Sequence, residues 1–144
     1  MMSSREQRVK MRMTRQELLT SDDAPQLWLV LNEAVIRRQV GGRATMHEQL
    51  TRLIEAASLP NVTLQVVPFS VGAHPAMDGS FSILGFPEPA DLNIVYFEYH
   101  TGALYLEKTP EVTRYRLMFD HLRAAAQPVD ASRALIARVA EELG

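Results

Sequence analysis

The chain has 144 residues, of which 47% are hydrophobic and 22% charged, with a formal net charge of −2. This length suits one domain with its own core. The lack of cysteine excludes a disulfide, a thiolate metal site and a cysteine nucleophile. No apolar run approaches the length of a membrane span, and the N-terminus is polar where a signal peptide would be apolar. We therefore expect a cytoplasmic protein that does not bind a membrane.

The charge is distributed unevenly along the chain. Residues 5–15 contain five basic side chains against one acidic side chain: Arg5, Arg8, Lys10, Arg12 and Arg15 against Glu6. Because binding to phosphates requires an excess of basic residues, the negative net charge predicts no direct nucleic-acid binding by this chain. The basic segment is interpreted as a solvated helix face, with a DNA contact as the less favoured alternative.

The first third of the chain predicts a helix followed by a strand. Residues 3–19 contain no glycine or proline, which favours an exposed N-terminal helix. After a turn at residues 21–25, the run from Leu27 to Leu31 predicts a buried strand. The state of Glu33–Arg38 is left open, and Gly41-Gly42 ends this region.

The next segment predicts a helix between two strands. Thr45 and Glu48 have the spacing of a capping box, which places a helix over Met46–Ser58. The β-branched run Val62–Val67 predicts a strand that ends at Pro68. A strand, helix, strand order favours parallel pairing of the two strands.

The rest of the chain predicts three short strands and two helices. Turn residues separate strands at Phe81–Phe86, Asn93–Tyr99 and Ala103–Glu107. Thr109 precedes Pro110 as a capping residue for the first helix, and the last helix covers Asp130–Leu143.

Together these elements predict an α/β or α+β fold. We expect a mixed sheet of about five strands covered by helices, with an N-terminal helix and two C-terminal helices. Residues 1–20 are interpreted as a basic helix or linker, and residues 21–144 as a single domain.

The sequence does not favour catalysis or metal binding. It contains neither a Gly-x-Ser-x-Gly motif nor two carboxylates at a diagnostic spacing, so we expect no enzymatic activity. The four histidines fall on different elements and show no His-x-x-x-His spacing, which predicts no metal and no cofactor. They are His47, His74, His100 and His121.

The loop from Gly72 to Gly79 is the most distinctive segment. His74 and Asp78 lie where a loop leaves the end of a predicted sheet, a common location for ligand-binding groups. Gly72 and Asp78-Gly79 are equally typical of turn chemistry alone. Both interpretations remain open.

Polar residues also alternate along the later strands. Tyr96 and Glu98 share one face of their strand, and Tyr105 and Glu107 share one face of the next. The glutamates either line a polar pocket or form buried ion pairs with Arg37 or Arg38. The candidate ligand or pocket residues are therefore Glu33, Arg37, His74, Asp78, Tyr96, Glu98, Tyr105 and Glu107.

Many ordered segments of the chain resemble the domain of unknown function that follows the Xre-type helix-turn-helix in actinobacterial transcription regulators, a family described as antitoxin-like. The resemblance covers roughly residues 5–143 and departs at Asn32 and Gln127-Pro128. The matching segments are Arg15–Leu19, Leu27–Ala34, Arg37-Arg38, Gly41-Gly42, Leu59–Val66, Pro68-Phe69, Gly72–His74, Asp78–Phe81, Val95–Glu98, Gly102–Glu107, Tyr115 and Phe119.

The resemblance implies a gene regulator that acts alone or with a small, toxin-like partner protein. The helix-turn-helix of that family has no counterpart in this chain, so we expect the regulatory half of such a protein. The first hypothesis is a domain that responds to a small-molecule effector or a partner protein. The alternatives are a homodimerisation module without ligand and, least favoured, a small enzyme.

A homodimer is expected because Xre-type regulators read two-fold symmetric operators. The apolar stripes of the last two helices are the predicted contact, since one small sheet does not readily bury them. They consist of Val112, Tyr115, Met118, Phe119 and Leu122, and of Leu135, Ile136, Val139 and Leu143.

Overall fold

The computed structural model describes residues 1–74, 79–88, 92–99 and 101–144. The predictions for Asp78 and His100 lie outside these residues. The described elements in chain order are α1 (Ser4–Gln16), β1 (Leu27–Asn32), α2 (Glu33–Arg37), α3 (Arg43–Ala57), β2 (Val62–Val67), β3 (Ser82–Gly85), β4 (Asn93–Tyr99), β5 (Gly102–Leu106), α4 (Thr109–Ala125) and α5 (Val129–Leu143). Short 3₁₀ helices occupy Glu17–Thr20 and Phe69–Val71. The predicted mixed fold, with an N-terminal helix and two C-terminal helices, is confirmed.

The five described strands form two sheets instead of the one sheet predicted. β1 pairs with β2, while β3, β4 and β5 form an antiparallel sheet in that order. The later strands are connected by a few residues, and such short connections favour antiparallel pairing between neighbours in the chain. Each of these strands therefore pairs with a strand that is its neighbour in the sequence.

The described residues group into two compact units. Unit 1 contains Met1–Gln65 and Pro128–Gly144, and unit 2 contains Val66–Gln127. In unit 1, α3 packs against α5. The apolar residues of both helices recur at spacings of three and four, so each helix turns one stripe inward. The buried core of unit 1 includes Ile36, Met46, Leu50, Leu64, Leu135, Ile136 and Val139.

Unit 2 is built around one face of its antiparallel sheet. Val95 of β4, the central strand, is fully buried. Phe97, two residues further along, packs edge-on against Tyr115 of α4 with ring centroids 5.0 Å apart. Phe81 contacts the same tyrosine ring at 5.2 Å. α4 therefore covers the Val95 and Phe97 face of the sheet.

The helical stripes that predicted self-association are largely occupied within the chain. Leu135, Ile136 and Val139 are buried in unit 1, and Val112 and Leu122 are buried in unit 2. These residues do not offer the free apolar surface from which the homodimer was argued.

The predicted capping box of α3 is wrong. The helix begins at Arg43 with Gly42 as its N-cap, and no side chain caps it. Gly41 and Gly42 have φ values of 84° and 93°, which lie in the left-handed region that favours glycine. This backbone ends the preceding segment, so the helix begins at Arg43 and not at the predicted Met46. Thr109 is likewise the first residue of α4, and its N-cap is Lys108.

Replacing Gly41 with alanine is expected to lower the free energy of unfolding by roughly 1–2 kcal/mol. The residue has φ 84°, and an added Cβ would lie 2.9 Å from Cγ2 of Thr45. Thermal and urea denaturation measure the effect. Gly85→Ala is the control, because a Cβ there meets only Oδ1 of Asn93 at 3.7 Å.

The double variant Gly41→Ala/Thr45→Ala separates the two causes. It removes the contact with the threonine methyl group but keeps the unfavourable φ angle, so we expect partial recovery of stability. Equal stability of Gly41→Ala and the wild type would contradict the described backbone at Gly41.

Candidate functional site

The antiparallel sheet of unit 2 has one face packed on α4 and an opposite face rich in polar and aromatic groups. The register places Tyr96 opposite Tyr105 and Glu98 opposite Ala103. Because successive side chains alternate between faces, Tyr96, Glu98 and Tyr105 lie on the face opposite Val95 and Phe97. We call these three residues the tyrosine face.

The side chains of the tyrosine face contact one another. The rings of Tyr96 and Tyr105 lie 5.0 Å apart between centroids, at an interplanar angle of 46°. The hydroxyl of Tyr96 donates a short hydrogen bond to Oε1 of Glu98. A cross-strand aromatic pair and this hydrogen bond hold the three groups in a fixed arrangement.

This group is accessible to a binding partner. Tyr105 is 58% exposed, Glu98 is exposed and Tyr96 is half-buried. The surface offers two aromatic rings, the hydroxyl of Tyr105 and a carboxylate that accepts hydrogen bonds. These groups can form aromatic contacts and hydrogen bonds, and they lie on an exposed sheet face.

Glu33 and Arg37, by contrast, belong to unit 1 and form a surface ion pair there. Nε of Arg37 lies 2.7 Å from Oε2 of Glu33, and Nη1 lies 3.3 Å from Oε2 of Glu142. The hydrogen bond with Glu33 is the main cause that raises the pKa of Arg37, partly offset by desolvation, with the charges of Glu33 and Glu142 adding to it. The predicted buried ion pair of Arg37 with a strand glutamate is therefore wrong, since Arg37 pairs with helix glutamates and its side chain is 38% exposed.

Two of the remaining predicted residues, His74 and Glu107, have no described contact with the tyrosine face. His74 is half-buried in unit 2, and Glu107 is exposed just after the end of β5. Asp78 lies outside the described residues. Of the eight predicted residues, the structure brings three together on one sheet face and two in a separate ion pair.

Sequence reasoning missed a group of basic residues at the C-terminal end of α5. Nδ1 of His47 lies 2.8 Å from the carbonyl oxygen of Ala140, and Nη2 of Arg43 donates to the carbonyl oxygen of Glu142 at 2.6 Å. Basic groups stabilise the free carbonyls at the end of a helix. These partners are more than 90 residues apart in the sequence, so no local signal connects them.

The structure thus defines a mixed α+β protein with an exposed aromatic and polar sheet face. Among the described residues, no three histidine, cysteine or acidic side chains are placed to hold a metal ion, and no helix is both long and apolar enough to cross a membrane. Residues 3–138 match the family Domain of unknown function (DUF5753), and the chain belongs to that family. Neither the curated proteins nor the solved structures contain a match to the chain.

Proposed function

We propose that this chain is the non-enzymatic interaction domain of an antitoxin-like, Xre-type helix-turn-helix transcription regulator from actinobacteria, and that its tyrosine face binds a small partner protein. The observation that carries the proposal is the arrangement of Tyr96, Glu98 and Tyr105 on the sheet face opposite α4. The resemblance of the sequence to the regulatory half of such regulators supports it.

The exposure of the tyrosine face favours a protein partner over a small molecule. Small-molecule sites are concave and enclose most of their ligand, whereas Tyr105 and Glu98 are exposed on a sheet surface. Tyrosine is enriched at protein interfaces because its ring buries a large area while its hydroxyl still finds a hydrogen bond. Tyr96 is already oriented by Glu98, which reduces the entropy lost on binding.

The site suits binding better than catalysis. Glu98 accepts the hydroxyl of Tyr96 in an exposed position. Ser82 of β3 lies opposite Tyr96 on the same face, but no described hydrogen bond joins its hydroxyl to Glu98 or to another base that could activate it. A binding role needs only the geometry that these side chains already have.

Site-specific photo-crosslinking in the native host tests the proposal directly. Two variants of the full-length protein are compared. In one, a photoreactive phenylalanine analogue replaces Tyr105, and in the control it replaces Leu117. Leu117 is 57% exposed on α4 of the same unit and lies outside the tyrosine face. We expect a discrete adduct from position 105 and none from position 117, with the partner identified by mass spectrometry.

Quantitative binding then follows with the partner so identified. Tyr105→Ala is expected to weaken binding at least about fivefold, as for an interface residue that contributes more than 1 kcal/mol. Leu117→Ala is expected to leave the affinity unchanged. An adduct of two copies of this chain would support the homodimerisation module instead, and the absence of any adduct at position 105 would overturn the proposed surface.

A further inference from the structure

Helix α1 presents a regular line of arginines. Arg5, Arg8, Arg12 and Arg15 follow one another at intervals of three, four and three residues. At about 100° of rotation per residue they occupy one strip about 80° wide and about 15 Å long. We call these four residues the arginine strip.

The arginine strip is free of compensating charge within the part of the chain that the structure describes. All four residues are exposed, and none forms an ion pair with a described carboxylate. Glu6, the acidic residue of α1, bonds instead with Ser3 in a capping box. Only Arg15 has a described side-chain contact, a 3.3 Å approach of Nη2 to Sδ of Met11.

Within the part of the chain that the structure describes, α1 is exposed along its whole length. No residue of the helix is buried, and isolated helices of this length are marginally stable in water. The chain that follows is tied down where Nδ2 of Asn61 donates to the carbonyl oxygens of Leu19 and Pro25, at 3.1 and 2.9 Å. α1 is therefore held at its C-terminal side and exposed to solvent along its length. Such exposure is expected of a helix that binds a partner.

The chemistry of the strip selects an extended polyanion as that partner. The guanidinium group matches phosphate oxygens with two parallel hydrogen bonds and stays charged at any physiological pH. Four such groups in a line, without acidic neighbours on that face, match a regular row of phosphates better than a single small anion. The net charge of −2 does not reveal this local excess of positive charge. Outside residues 5–15 the chain has ten basic and sixteen acidic residues, which outweigh the basic segment.

The apolar residues of α1 argue against a bilayer as the partner. Val9 and Met13 flank one side of the arginine strip, while Met11 flanks the other. A helix that lies in a membrane surface needs one continuous apolar face opposite its basic face. Opposite the arginine strip, α1 instead has Lys10, Thr14 and Glu6.

We propose that the arginine strip of α1 contacts the phosphate backbone of duplex DNA without reading its sequence. The major groove of B-DNA admits a helix between two rows of phosphates, whereas that of an A-form RNA duplex is too narrow. The inference goes beyond the proposed partner-binding role and does not depend on it, since α1 and the tyrosine face belong to different units. For α1 alone, this proposal replaces the expectation, drawn from the net charge, that the chain does not bind nucleic acid directly.

Fluorescence anisotropy of a labelled random-sequence DNA duplex with the full chain tests this inference. We expect a dissociation constant on the order of 10⁻⁴–10⁻⁶ M at physiological salt. Four neutralised phosphates predict a slope of log K against log salt of about −3.6, which is about a hundredfold loss between about 50 and 200 mM salt. The variant with all four arginines replaced by glutamine is expected to lose both the binding and most of this slope.

Two further variants make the test specific. The control replaces Arg38, Arg114, Arg116 and Arg138 with glutamine, which removes the same charge from exposed positions elsewhere. It is expected to bind within about twofold of the wild type, since nonspecific affinity comes from the phosphate contacts. Replacing the strip with four lysines keeps the charge, so the salt slope is expected to survive. Glutamine and lysine both favour helices, and circular dichroism verifies that α1 is retained.

Several outcomes would overturn the inference. One is equal DNA binding by the glutamine variant of the strip and the control variant. Another is loss of binding in the lysine variant despite an intact helix. A third is binding of the wild type to phosphatidylglycerol vesicles but not to DNA, which would identify a membrane surface as the partner. Equal affinity for a duplex RNA of the same length would contradict the groove argument. None of these outcomes bears on crosslinking at Tyr105.

Discussion

Ile136→Ala is expected to lower the free energy of unfolding by roughly 2–5 kcal/mol. The side chain of Ile136 is 0% exposed on α5, the helix that packs against α3 in unit 1. Removing its methyl and methylene groups loses their burial and leaves a cavity, because close-packed neighbours relax only in part. Urea denaturation measures the loss, and hydrogen exchange is expected to show reduced protection of amides in α3 and α5.

Val35→Ala is the control for this variant. Val35 is also β-branched, helical and in unit 1, but its side chain is 54% exposed, so we expect a change within about 0.5 kcal/mol. If Ile136→Ala were as stable as Val35→Ala, α5 would not be part of the core. The same result would make the helical stripe available again as a surface for self-association.

Tyr115→Ala is expected to destabilise unit 2 by about 2–3 kcal/mol. The ring of Tyr115 lies edge-on to two aromatic rings, with centroids 5.2 Å from Phe81, just before β3, and 5.0 Å from Phe97 of β4. Its removal takes away two aromatic contacts and uncovers apolar surface on the sheet. Hydrogen exchange of the β3, β4 and β5 amides measures the loss.

Two controls define the source of this effect. Tyr115→Phe keeps the ring, so it is expected to retain most of the stability if the aromatic contacts are responsible. Leu117→Ala, two residues along the same helix and 57% exposed, is expected to change little. Equal losses for Tyr115→Ala and Leu117→Ala would mean that α4 does not pack through Tyr115.

The candidate site was predictable only in part. Alternation along a strand has a period of two, so the sequence alone placed Tyr96 and Glu98 on one face. The position of Tyr105 beside Tyr96 depends on the register between β4 and β5. A shift of one residue in this register would place the side chain of Tyr105 on the opposite face of the sheet. The interpretation of Arg37 failed because its closest partner is Glu33, one helical turn away in a segment whose state the sequence left open. Its second partner, Glu142, lies 105 residues away on another helix.

What the sequence determined by itself was the position and type of most elements, because these follow from local periodicity and turn residues. The bounds of β2 and β4 are as predicted, and α5 begins one residue earlier than predicted. The start of α3 was not determined locally, since two glycines with positive φ competed with the signal at Thr45.

Only the tertiary structure decided how those elements are grouped and which of their faces remain open. It divided the strands between two sheets, and it buried most of the apolar stripe of α5 and part of that of α4. It left α1 exposed, together with Glu98 and Tyr105 of the tyrosine face. The physical reason is that an amphipathic pattern specifies that a face needs a partner but not which partner buries it. That choice depends on packing between segments distant in sequence, such as α3 and α5.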